Sequence, residues 1–103
     1  MLSSDRPTAA ILLLAYRIIS GTEDRTALKI FHEMQASILL RRAEAGDHIR
    51  RAVHDPEDRE TEYQKLDEQK DKDLFRGLWS CFPEVRKVYP SSVLANNTLG
   101  SFV

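Results

Sequence analysis

Apolar residues recur along this chain at the three- and four-residue spacing of helices, and helix-stop residues divide them into three runs. The first run is Ala9 to Ala15 with Ile18 and Ile19. Ser4 or Asp5 supplies a cap before it, Pro7 suits the first turn, and Gly21 stands where a C′ residue belongs. The pattern predicts a helix over about 6–20 that is apolar nearly all round. Such a helix needs cover on several sides, from the rest of the chain or from a second copy.

The second run reads Leu28, Phe31, Gln35, Ile38, Arg42, Ala45, Ile49 and Ala52, a coiled-coil-like seam broken by two polar residues. Met34, Leu39 and Leu40 widen its first half. Thr22 is the expected cap, with Glu23 and Asp24 at the positive end of the dipole, so the second helix is placed over about 22–54. The sharpest boundary in the chain is His54-Asp55-Pro56-Glu57-Asp58. Asp55 can cap, Pro56 can open, and the two acids suit the start of a third helix. A connection this short returns the third helix antiparallel to the second.

The third helix, expected over about 56–81, carries Tyr63, Leu66, Leu74 and Leu78, flanked by Phe75, Trp79 and Phe82. Lys70 falls within that stripe and can lay its methylenes along it. Gly77 suggests a close approach of two helices. Pro83 ends the helix, a short helical turn follows from Glu84 to Tyr89, and residues 91–103 form a small, polar tail. The fold class is therefore all-α: one domain, 1–103, in which an antiparallel hairpin packs with a short apolar N-terminal helix. Folding about Asp55 brings Phe31 and Leu28 to Leu78, Trp79 and Phe82, and Ile38 to Leu74. The far end of the hairpin offers only Ala45, Ile49, Ala52, Tyr63 and Leu66. The core is expected at the base, and the far end is a charged arm.

Charge changes this picture little. Fifteen basic and sixteen acidic residues give a net charge of −1, so no overall basic excess points to phosphate backbones. The run from Glu57 to Asp73 reads as a solvated face. Cys81 is the only cysteine, which excludes an intramolecular disulfide and fits a reducing, cytoplasmic setting. The apolar run lacks the basic flank and small-residue cleavage site of a secretion signal, and is too short for a bilayer. The Asn96-Asn97-Thr98 sequon then carries no weight.

Candidate chemistry is sparse. His32, His48 and His54 show no i, i+4 pairing, and no carboxylate pair stands apart from the charged run. No serine or cysteine has a matched histidine, and the glycines are isolated. The expectation is a non-enzymatic protein with no cofactor and no metal. It is read as a protein–protein interaction module, in the manner of an adaptor, chaperone, inhibitor or small phage- or virus-like regulator. It is expected to self-associate as a dimer through Ile11, Leu14, Ile18, Trp79 and Phe82. Its charged arm would meet a protein partner, with no role for a membrane. The alternative is a helical dimer that binds DNA or double-stranded RNA through Arg41, Arg42, Arg50 and Arg51. Ser101-Phe102-Val103 matches the short carboxy-terminal pattern that adds as a strand to PDZ domains, a pattern common by chance.

Overall fold

The computed structural model describes residues 7–92. In chain order it holds α1 (Pro7–Ile19), α2 (Arg25–Ala52), α3 (Pro56–Cys81) and α4 (Pro83–Val88), with no strand among the described residues. The expected caps Ser4 and Asp5, the tail beyond residue 92, the sequon and the carboxy-terminal pattern lie outside the described residues.

The start of α2 differs from the sequence expectation. Its N-cap is Asp24, whose Oδ1 accepts from the Ala27 N–H at 3.0 Å. Thr22 is committed elsewhere: its N–H donates to Ile19 O at 3.0 Å, and its hydroxyl lies 3.4 Å from Glu84 Oε2 and accepts from the Asp24 N–H at 3.4 Å. Residues 20–22 thus close α1 with a hydrogen-bonded turn, and Gly21 does not take the left-handed conformation expected of a C′ glycine. The second boundary falls where the sequence places it. Asp55 Oδ1 accepts from the Glu57 N–H at 3.3 Å, and Pro56 opens α3. Arg59 Nε donates to Val53 O at 3.0 Å, tying the end of α2 across the turn.

The two long helices pack against each other, and α1 lies against α3 and α4. Phe31, Phe75, Phe82, Ile11, Leu78 and Val85 are the large side chains fully removed from water. The Phe31 ring stands edge-on to Tyr16, centroids 6.1 Å apart, and to Phe82 at 6.3 Å. Phe75 meets Tyr89 in the same manner at 5.2 Å, which fastens the end of α4 to α3. Gly77 faces α2 at close range. A Cβ there would sit 3.4 Å from Met34 Sδ and 3.5 Å from the Phe31 ring, leaving room for a methyl group and nothing larger. Toward the turn Ala45, Ile49, Tyr63 and Leu66 are only half-buried and Ala52 is exposed, so the hairpin narrows to an arm.

One residue of the charged run is not solvated. Asp71 is 2% exposed, because it precedes Leu74 and Phe75 by three and four residues and shares their inward face. The Lys70 ammonium lies 3.8 Å from its Oδ1.

Two classes of substitution should separate in thermal melts. Phe31→Ala is expected to cost about 3–5 kcal/mol, since it opens a cavity between three helices. Glu60→Ala, on the exposed arm, should cost less than about 0.5 kcal/mol. Asp71→Ala should fall between them at roughly 1–3 kcal/mol, the range for breaking a buried polar contact. Equal melting points for Asp71→Ala and Glu60→Ala would place the carboxylate in water after all.

Candidate protein-interaction surfaces

The buried residues of α1 are Thr8, Ala9, Ile11, Leu12, Ala15 and Ile19, related by spacings of three and four. Its remaining stripe, Ala10, Leu13, Leu14 and Arg17, therefore points away from the hairpin. Leu13 is 57% exposed and Leu14 is 49% exposed. With Tyr16 and Ser20 they border an open apolar hollow of about 630 Å³. Leu39 is also exposed, on the side of α2 that carries Gln35, and the Gln35 amide lies 3.4 Å from the Tyr16 hydroxyl.

The five residues assigned to an interface by sequence are divided by the fold. Ile11 and Phe82, at 1% and 0% exposure, lie inside the core of the single chain, where no second chain reaches them. Ile18 is half-buried and packs against that core, and Leu14 is open. Trp79 is half-buried and pinned: its Nε1 donates to Tyr89 O at 3.0 Å, and the Arg86 guanidinium stacks 5.7 Å from the ring centroid. Arg86 Nη1 also donates to Trp79 O and Ser80 O at 2.8 and 2.9 Å, capping the end of α3. Sequence reasoning passed over Leu13. The signal for it was Arg17, since a charged residue four positions on marks the solvent face of an otherwise apolar helix.

The four arginines divide as well. Arg42 Nε donates to Asp67 Oδ1 at 2.8 Å, and the guanidinium lies 5.5 Å from the Tyr63 ring centroid. Gly46 makes room for it, since a Cβ there would fall 2.6 Å from Arg42 Nη1. Arg42 is thus the strut of the arm, holding α2 to α3 where apolar packing is thin. Arg50 pairs with Asp47 at 3.1 Å in an exposed i, i+3 contact. Arg41 and Arg51 are exposed, with no ion pair among the described residues. Opposite α1, the α2–α3 seam opens into a furrow. One hollow of about 450 Å³ is bordered by Met34, Ser37, Ile38, Arg41, Arg76 and Ser80, among others. A second of about 220 Å³ shares Ile38, Arg41 and Asp73 with it and runs on to Leu66.

No group of three histidine, cysteine or acidic side chains among the described residues is placed to hold a metal ion. No described helix is long and apolar enough to cross a membrane. Burial raises the Tyr16 hydroxyl above its ordinary pKa, and the Asp71 charge adds to the shift. Burial likewise raises Tyr89, and it raises the Cys81 thiol against a smaller opposing effect from Arg86.

The helices define an all-α protein built on a hairpin, with one face clad by α1 and α4 and the other, among the described residues, open. No protein family matches the chain, nor does any curated protein or solved structure.

The tyrosines set an alkaline limit on the fold. Tyr16 and Tyr89 are held neutral in the folded chain above the usual value of about 10, so unfolding releases protons there. Their contribution is complete below pH ~10 and is lost as pH rises through the folded values. Urea midpoints should begin to decline from about pH 9, where the raised Cys81 thiol comes into play, and fall further above about 10 as the two tyrosines do. In Tyr16→Phe the alkaline fall should be shallower, and an identical slope would show that Tyr16 carries none of it.

Proposed function

We propose that this chain is a non-enzymatic protein–protein interaction module that self-associates through the outer face of α1. The observation that carries the reading is the pair Leu13 and Leu14, side by side and open to water on a helix whose other face is core. Adjacent exposed leucines bordering an apolar hollow are what an interface leaves uncovered when its partner is absent. A 13-residue helix presents a face about 20 Å long and about 10 Å wide, so roughly 200 Å², well below the roughly 800 Å² per partner of a standard interface. The dimer is accordingly expected at micromolar concentrations. An adaptor, chaperone, inhibitor or small accessory regulator fits such a surface, and a reducing, intracellular setting fits the single half-buried Cys81.

Nucleic-acid binding by such a dimer has weaker support. Arg42 is committed to Asp67 and Tyr63, and Arg50 to Asp47, which leaves Arg41 and Arg51. Two arginines on a chain of net charge −1 are a small electrostatic footprint.

Light scattering on a size-exclusion column tests both readings. At tens of micromolar the wild type should run as a dimer, and Leu13→Asp with Leu14→Asp should run as a monomer of unchanged helicity. A wild type that stays monomeric at 100 µM would end the self-association reading. A short duplex of DNA or RNA added at low salt should leave the elution unchanged, and a shift abolished by Arg41→Ala with Arg51→Ala would favour the alternative.

A further inference from the structure

The furrow along the α2–α3 seam lies on the face that α1 does not cover, and all its lining residues come from those two helices. Its floor is Met34, Ile38, Leu66 and Gly77. Two features of that floor admit a third helix. Gly77 keeps it low, and Met34 is an unbranched, half-buried side chain that can reshape around a partner. From Leu66 to Ser80 the furrow spans about 20 Å of α3, the length of a helix of roughly 14 residues. A helix laid on a two-helix seam packs its ridge into the groove at about 8–10 Å from each axis.

The charges at its mouth specify the occupant. Arg41 is exposed and has no ion pair among the described residues. Arg76 is exposed and reaches Asp73 only at 3.9 Å. The acid that lines both hollows, Asp73, is less exposed than Arg76, at 26% against 54%, and also accepts from Gln69 at 3.0 Å, while neighbouring Asp67 is engaged by Arg42 and Lys70. The outermost charges of the furrow are therefore positive, in a chain whose net charge is negative.

The chain's own segments match this mouth poorly. The exposed stripe of α1 carries Arg17, and residues 93–103 contain no acidic side chain. The acidic half of α3 turns its apolar residues, Tyr63 and Leu66, toward α2. Nucleic acid is also the poorer fit, since an apolar floor offers nothing to a phosphate backbone and no aromatic ring lines the furrow for base stacking. We infer that the α2–α3 furrow is a docking site for an amphipathic helix of a different protein, with an apolar stripe seated on Met34 and Ile38 and acidic flanks paired with Arg41 and Arg76.

This inference stands apart from self-association, because no furrow residue belongs to α1. The test uses the full chain, isotope-labelled, titrated with two 14-residue helical peptides that share one leucine stripe. One peptide has glutamate flanks and the other lysine flanks. The glutamate peptide should bind and shift the amide resonances of Ser37, Arg41, Gly77 and Ser80, more weakly as salt rises. Arg41→Glu with Arg76→Glu should weaken it about tenfold or more and gain affinity for the lysine peptide. If that double variant loses helicity, Arg41→Gln with Arg76→Gln gives the same reading through a flattened salt dependence. Equal binding of both peptides to the wild type would overturn the inference. So would shifts confined to Ala10, Leu13 and Leu14, or a short DNA duplex that displaces the glutamate peptide at equal ionic strength. A chain that remains monomeric yet binds the glutamate peptide removes the α1 dimer and keeps the furrow.

Discussion

Phe31 lies where three parts of the chain meet: the Tyr16 ring of α1, the backbone of α3 at Gly77, and Phe82 at the junction with α4. Its own helix, α2, has few other fully buried side chains, and α1 reaches α2 chiefly through Tyr16. The packing of that one ring therefore sets the height of α1 on the hairpin and the separation of α2 and α3. A larger residue at position 77 would push on Phe31 directly, and the displacement would pass to Tyr16 and Phe82 together. The aromatic base is a single packed unit, and the remainder of the molecule is arranged around it.

The arm obeys a different balance. With little apolar area to bury beyond Ile38 and Leu74, its two helices are joined by polar contacts that stay near water: Arg42 with Asp67, Arg42 over Tyr63, and Arg59 on Val53 O. Partly solvated pairs of this kind contribute little free energy each, so they fix geometry more than they stabilise. They also fix what the arginines are free to do. A guanidinium engaged by a carboxylate and a ring is not available to a phosphate, whereas Arg41, one residue earlier and about 100° round the helix, projects over the furrow.

Much of the architecture was legible because helix punctuation is local chemistry. Asp55 and Pro56 need only their own neighbours to stop one helix and start another, and the hairpin follows from that turn. The meeting of Phe31 with Phe82 follows in turn from counting residues outward from Asp55. Failures occurred where a side chain had two possible partners. Thr22 could have capped α2, but the Glu84 carboxylate, 62 residues away in sequence, competes for its hydroxyl. Asp71 reads as one more charge in a polar run, yet it shares the inward face of α3 with Leu74 and Phe75 and is buried there. The same limit applies to the surfaces. An all-apolar helix does not declare which of its leucines faces out, so Ile11 and Leu14 looked alike before α1 was laid on α3.

The two surfaces differ in the selection they impose. On α1 the open stripe is apolar with one cation, and it discriminates poorly: many greasy faces would satisfy Leu13 and Leu14. The furrow is narrower in what it admits, since its floor asks for small and flexible contacts and Arg41 with Arg76 repel a basic helix. Specificity in such a module would reside in the furrow and avidity in α1. Pairing through α1 would leave both furrows open, because the cladding helix and the furrow occupy opposite faces of one hairpin. A weak dimer of the proposed kind would then present two selective sites at fixed separation, and a partner with two acidic helices would gain by effective concentration what each site alone lacks.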